Sequence, residues 1–355
     1  VEPEPVKTGG GKVKMSSTQP RPSLLEDDMR FPTIAAGCLI AMAAQAETPV
    51  LKVLTYDSFV SEWGPGPAVE QAFEARCGCD LQWDAPGDGA ALFARLKLEG
   101  ARSDADVVLG LDTSLTGAAA ATGLFVPHGT TPKLDLPIAW DDPLFLPFDW
   151  GWFAFVYDKT RLPVAPDSLR ALAQSDVKIV IQDPRSSTPG LGLLLWVKAA
   201  YGDQAAQIWA DLADNIITVT PGWSEAYGLF LEGEADMVLS YTTSPAYHLI
   251  AEEDASKAAA AFEEGHYLQV EVAGKLANSD QPALADQFLD FMLGAEFQGV
   301  IPVTNWMYPA ATAPEGLPKG YETLMQPKKS LLMSAQDAMM VRDGALAEWL
   351  TALAR

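Results

Sequence analysis

Apolar residues in this chain come in short blocks separated by amphipathic stretches. Val50 to Tyr56 alternates as a first strand, and Asp57-Ser58-Phe59 turns out of it. Trp63-Gly64-Pro65-Gly66-Pro67 is a rigid loop before a helix from Ala68 to Arg76. Leu81-Gln82-Trp83 predicts a second strand. Asp88 reads as the N-cap of a helix with Leu92, Phe93 and Leu96 on one face, ended by Gly100. Ala105 to Leu109 predicts a third strand, and Thr113 or Ser114 opens an alanine-rich helix. The order β-α-β-α-β-α predicts a parallel sheet with helices on both faces.

The pattern changes at Leu144 to Tyr157, a β-rich aromatic run too long for one ordinary strand. It reads as a crossing between two lobes. A second series follows. The strand Val177 to Ile181 leads to Ser186-Ser187-Thr188-Pro189 and a helix to about Tyr201. The strand Ile216 to Val219 leads to Trp223-Ser224 and a helix to Leu231. The strand Met237 to Leu239 leads to Ser244 and a helix from Pro245 to Glu253. Tyr267 to Val272 alternates again as the crossing back, and helices follow at Pro282 to Leu293 and Ala335 to Leu353. The expected organisation is a first lobe of 47–146 with 273–355 and a second of 147–272. The hinge crossings fall near 147–157 and 266–272.

In the second series each strand runs into a Ser/Thr cap and a helix. Helix N-termini offer unpaired N–H groups and a partial positive end, suited to a hydroxyl or a phosphate. Well-capped helices alone would give the same pattern. The most informative corner is Ser240 to His248, where a buried strand ends in a polar turn carrying Tyr241 and Tyr247. Aromatics at such a corner suit a flat or cationic ligand, or simply pack in the core.

The 355 residues and 48% hydrophobic content fit about two domains. A net charge of −23 argues against nucleic acid and for cations or neutral solutes. Met29-Arg30, the apolar run Phe31 to Met42 and Ala43-Ala44-Gln45-Ala46 form a signal peptide, residues 29–46, with cleavage expected after Ala46. Residues 1–28 fit a disordered lead or a start assigned too early, with translation beginning at Met29. Cys38 follows Ala35-Ala36-Gly37, a weak lipoprotein-like box with too little apolar sequence before it. Cys77 and Cys79 either form a small disulfide or stay reduced, and scarce histidine argues against a metal centre.

Several runs are specific enough to carry a resemblance. They include Thr55-Tyr56-Asp57-Ser58-Phe59, Trp63 to Pro67, Ala105 to Asp112, Gln182-Asp183-Pro184-Arg185 and Ser187 to Trp196. Gly222 to Phe230, Ser240 to His248 and Asn305-Trp306-Met307-Tyr308-Pro309 complete the set. Over about Leu51 to Pro309 the chain resembles the periplasmic thiamine-binding proteins of bacterial thiamine ABC transporters. The resemblance implies an α/β fold, a two-lobed periplasmic binding protein of type II with two crossover strands at its hinge. It implies thiamine, thiamine monophosphate or thiamine diphosphate as ligand, with no cofactor. Delivery would be to an inner-membrane ABC permease with its ATPase, by a periplasmic monomer that is not an enzyme. The binding positions it implies are Asp88, Gly89, Ser187, Thr188, Trp223, Tyr241, Thr242, Thr243, Ser244, Tyr247 and Trp306.

Two other readings compete. A polyamine or ferric-ion carrier would use carboxylates, or Tyr241, Tyr247 and His248. A secreted hydrolase would use Ser187 or Ser244 with His248 or His266. The chain has no G-x-S-x-G elbow, and Pro245 puts Ser244 in a cap role.

Overall fold

Two long antiparallel strands at the centre of the sheet position everything else. A computed structural model describes residues 47–354; the expected signal peptide, its cleavage after Ala46, the Cys38 box and the lead before Met29 lie outside the described residues. The first part of the chain gives β1 (Val50–Leu54), α1 (Asp57–Val60), α2 (Gly66–Cys77), β2 (Asp80–Asp84) and α3 (Gly89–Glu99). It continues with β3 (Val107–Asp112), α4 (Thr116–Ala120) and the short β4 (Phe125–Val126). The long β5 (Phe145–Asp158) then leads to α5 (Leu169–Ala173), β6 (Ile179–Gln182), α6 (Thr188–Tyr201) and α7 (Ala205–Leu212). Next come β7 (Ile216–Thr220), α8 (Trp223–Glu232), β8 (Met237–Tyr241), α9 (Pro245–Ala251) and β9 (Lys257–Ala259). The chain returns along β10 (His266–Leu276) and ends with α10 (Pro282–Met292), α11 (Ala295–Val300), β11 (Tyr308–Pro309), β12 (Ser330–Leu331) and α12 (Ala335–Leu353).

The main sheet runs β2-β1-β3-β10-β5-β8-β6-β7. Its outer pairs are parallel, as the alternation of strands and helices predicts. The central pairs β3–β10, β10–β5 and β5–β8 are antiparallel, so the sheet is mixed. β5 pairs with β10 through its first part and with β8 from Phe153 onward. Its length therefore comes from serving both halves of the sheet. The β5–β10 ladder shifts register between Glu271 and Val272, opposite Pro147, which has no N–H to donate.

The core follows the apolar blocks. Leu51, Val53, Phe59, Phe73 and Phe288 pack on one face of the first half. Leu92, Phe93, Leu96 and Val108 belong to a larger cluster that continues through β5 to the buried Trp196 and Trp209. At roughly 1.5–3 kcal/mol per large side chain removed from water, these clusters stabilise both halves. Cys77 and Cys79 are disulfide-bonded at the end of α2, with Gly78 between them in the left-handed conformation (φ +64°). Among the described residues no helix is long and apolar enough to cross a membrane.

Three expectations are corrected. The third strand is Val107–Asp112 rather than Ala105 to Leu109, because the Asp106 carboxylate is occupied by the Lys52 N–H (2.9 Å) and the Ser279 hydroxyl (2.6 Å) below the ladder. Neither Thr113 nor Ser114 caps α4; the Ser114 N–H instead donates to Asp112 Oδ1 (3.1 Å), delaying the helix to Thr116. Helix α12 does not lie with the first half alone. It packs on α6 and α7 as well as α4, tying the end of the chain to the segment expected to form the second lobe.

Candidate ligand-binding cleft

A cleft of about 460 Å³ opens where the two halves of the sheet face each other. Tyr56, Trp63, Asp88 and Trp306 line it from the first half. Trp223, Tyr227, Tyr241, Ser244 and Tyr247 line it from the second, and Glu271 enters from the central strand β10.

The aromatic wall is held ring by ring. Trp223, the first residue of α8, stacks on Tyr227 one turn later (5.0 Å between centroids, 28° between planes). Tyr227 stacks on His248, His248 meets Tyr247 edge-on, and Tyr247 meets Trp306 edge-on at 5.5 Å. Polar contacts lock the rings. The Trp223 Nε1–H donates to Ser240 Oγ (2.8 Å), which is bonded to Ser244 Oγ (2.7 Å). The His248 Nδ1 bonds Glu252 (2.6 Å) and its Nε2 bonds the Tyr227 hydroxyl (3.0 Å). His248 beside it holds the Glu252 carboxyl below the usual range. Trp306 takes a positive φ of +56° at the end of the wide turn 301–305, a strained conformation for a bulky residue.

Asp88 joins three helices. Its Oδ1 accepts the Gly89 N–H that opens α3 (2.7 Å), and its Oδ2 accepts the Ser187 hydroxyl (2.7 Å). The N–H groups of Thr188 and Trp223, which open α6 and α8, face the same carboxylate. Burial raises its pKa, and these donors oppose the rise. Across the same junction the Ala91 N–H donates to the Ser186 carbonyl (2.9 Å).

Further acids lie at the cleft floor, Glu271 lining it and Asp149 and Asp112 buried behind. Glu271 accepts from the Tyr56 hydroxyl (2.8 Å) and from Gln269 Nε2 (2.7 Å). Asp149 accepts from Asn305 Nδ2 (2.5 Å), which also reaches the Tyr56 oxygen (3.2 Å). Burial pushes Asp112 and Asp149 up to about 7 and Glu271 well above the usual carboxyl range.

Of the expected positions, Asp88, Trp223, Tyr241, Ser244, Tyr247 and Trp306 meet in the cleft. Gly89, Ser187 and Thr188 sit behind Asp88. Thr188 is buried against Gly89, where an added Cβ would lie 2.1 Å from its Oγ1. Thr242 and Thr243 are fully buried and do not line the cleft; the Thr243 hydroxyl turns to the Met307 sulfur. Ser187 and Ser244 make no side-chain capping bond. The first is drawn to Asp88, and the second accepts the Tyr241 N–H (3.1 Å). His266, the other candidate base, is buried with its nitrogens on the Phe153 carbonyl and the Phe262 N–H, and burial lowers it to about 4. Sequence reasoning missed Tyr56, Trp63, Tyr227, Asn305 and Glu271. Glu271 did leave a signal, the one charged residue in the crossing run Tyr267 to Val272.

Two half-sheets joined through paired central strands, with an aromatic, acid-floored cleft between them, define a solute-binding protein. Residues 64–299 match the family described as "Bacterial extracellular solute-binding protein". A thiamine-binding periplasmic protein of Salmonella typhimurium is 52% identical over 320 residues, covering 89% of this chain and 97% of the relative. One of Brucella melitensis is 50% identical over 319 residues, covering 89% and 95%. A solved structure described as a periplasmic thiamin binding protein superposes with a TM-score of 0.85 at 52% identity, covering 87% and 97%. The chain belongs to the family of the thiamine-binding periplasmic proteins, within the bacterial extracellular solute-binding proteins. The iron-bound HitA of Pseudomonas aeruginosa, at 20% identity and a TM-score of 0.68 over 86% of this chain and 99% of its own, shares the type II fold.

Proposed function

We propose that this chain captures thiamine, and its mono- and diphosphate, in the periplasm as a monomer and delivers it to an inner-membrane ABC permease with its ATPase. The observation that carries the reading is an aromatic wall facing buried carboxyls in one cleft. Thiamine presents a flat aminopyrimidine, a cationic thiazolium and a hydroxyethyl tail. Trp223, Tyr247 and Trp306 offer faces and edges for stacking and cation–π contacts, each worth ~0.5–2 kcal/mol. Asp88 and Glu271 supply negative charge, and the helix starts around Asp88 suit the hydroxyl or phosphate tail. The wall draws residues from both halves of the sheet, so a bound ligand favours the closed arrangement. The names of the relatives support the same ligand.

Titration of residues 47–355 with thiamine, followed by tryptophan fluorescence and heat, is expected to give submicromolar binding with quenching, stronger than about 8 kcal/mol. No binding by refolded protein overturns the reading. Trp223→Ala is expected to weaken thiamine at least ~tenfold through lost stacking. An unchanged dissociation constant in calorimetry removes Trp223 from the site.

A further inference from the structure

Glu271 occupies an unusual position in the sheet. It lines the cleft at 6% exposure, and its register partners on the two neighbouring strands are both acids, Asp112 on β3 and Asp149 on β5. Like charges directly opposite one another destabilise a sheet, and each of these acids has lost its water. The groups that act on Glu271 from the surrounding elements are Asp149, Asp112, Asp88 and the Tyr56 hydroxyl; Tyr241 of β8 feels the same acids. Gln269 and Asn305, the other polar neighbours, are neutral. Arg342 of α12 acts on Asp112 but forms no ion pair with it, and none of the ion pairs among the described residues involves Asp88, Asp112, Asp149 or Glu271. Asp149 Oδ1 and Asp112 Oδ2 are buried without a hydrogen-bond donor. A proton held between Asp149 and Glu271 would supply one.

Resting on the reading of thiamine as ligand, we propose that Glu271, paired with Asp149, selects for fixed positive charge by exchanging a shared proton for the cationic ring. A carboxyl O–H bond breaks, the proton passes to buffer, and the carboxylate left behind faces the thiazolium. One positive charge enters and one leaves, so the net charge buried at the pair is the same with and without the ligand. A neutral ring of the same shape has nothing to exchange and leaves the proton in place. The raised pKa of both carboxyls, caused first by burial, keeps the proton bound near neutral pH. The register shift beside Glu271 is a distortion of the kind that re-aims a side chain at a functional site.

The test is calorimetry of the 47–355 protein with thiamine at pH 7 in phosphate and in Tris, whose ionisation heats differ. The heat difference is expected to report ~0.5–1 proton released per thiamine, with affinity rising up to ~tenfold per pH unit through the titration of the pair. The sign follows from competition, since protons hold the site below that range. In Glu271→Gln the release is expected to fall below ~0.2 proton and the pH dependence to flatten. The preference for thiamine over a neutral thiophene isostere should narrow at least ~tenfold. Retained isostere binding shows that the variant's cleft is intact. If the variant does not fold, the buffer series on the wild type decides alone. Full-affinity thiamine binding with buffer-independent heat overturns the exchange and leaves the functional reading standing. No thiamine heat in any buffer overturns both.

Discussion

Replacing Asp88 by alanine is expected to weaken thiamine binding at least ~hundredfold, about 2.8 kcal/mol. The loss has two sources. The carboxylate is one of two acids in the cleft that can meet the thiazolium or accept from the hydroxyethyl tail. It is also the partner of the Gly89 N–H and the Ser187 hydroxyl, and the N–H groups of Thr188 and Trp223 face it. Buried donors left unpaired cost ~1–3 kcal/mol each, more where the lost acceptor was charged. Three helix starts from both halves of the sheet would face an apolar methyl, so the closed arrangement suffers as well as the contact. Asp88→Asn is expected to recover less than ~tenfold, because its NH₂ group would oppose some of the donors that the second carboxylate oxygen now accepts. Calorimetric titration of both variants checks this. A dissociation constant for the alanine variant within threefold of wild type would remove Asp88 from the binding account.

Gly110→Ala is expected to be the most damaging change outside the cleft lining. Gly110 lies in β3 with φ +102°, where a Cβ is disfavoured, and an added Cβ would stand 2.2 Å from Cδ1 and 2.5 Å from Cε1 of Tyr56. The backbone strain costs ~1–3 kcal/mol and the overpacking ~1–3 more. At roughly 2–4 °C per kcal/mol the midpoint should fall by about 5–20 °C. The ring pushed aside is the one whose hydroxyl holds Glu271, so thiamine affinity should fall with it, by ~thirtyfold. Tyr56→Phe, which removes the hydroxyl and keeps the ring, should cost less than ~tenfold. Scanning calorimetry with and without thiamine separates the effects. A Gly110→Ala protein with wild-type midpoint and affinity would show that the strand relaxes around the new methyl.

Much of this architecture is legible in the sequence, and the reasons differ from element to element. β5 announces itself because a fourteen-residue run rich in Phe, Trp, Val and Tyr exceeds any ordinary strand. Asp88 is legible as the residue before α3, where it does accept the first N–H. What it accepts from α6 and α8 is not legible, because those partners lie 99 or more residues away. Ser187 and Ser244 look like caps from their neighbours Pro189 and Pro245. Asp88, distant in sequence, claims the first hydroxyl, and the Tyr241 N–H and Ser240 hydroxyl of its own turn claim the second. Thr242 and Thr243 sit in a matching motif yet point into protein, since motif position does not fix which side of a turn meets the cleft. Glu271 is not legible as a cleft residue, because alternation assigns every second residue of a strand to one face. In a sheet covered on both sides, that face is buried too.

The pairing of Trp63 with Trp223 gives the molecule an optical gauge of its own. The first indole stands half in solvent on the loop before α2, the second opens α8, and their centroids are 6.1 Å apart across the mouth of the cleft. At that separation the two transitions couple, and the coupling vanishes once the halves swing a few ångströms apart. A circular-dichroism couplet in the indole bands would therefore track opening and closing directly. No dye or label is needed, and the signal would distinguish a ligand that merely enters from one that draws the mouth shut.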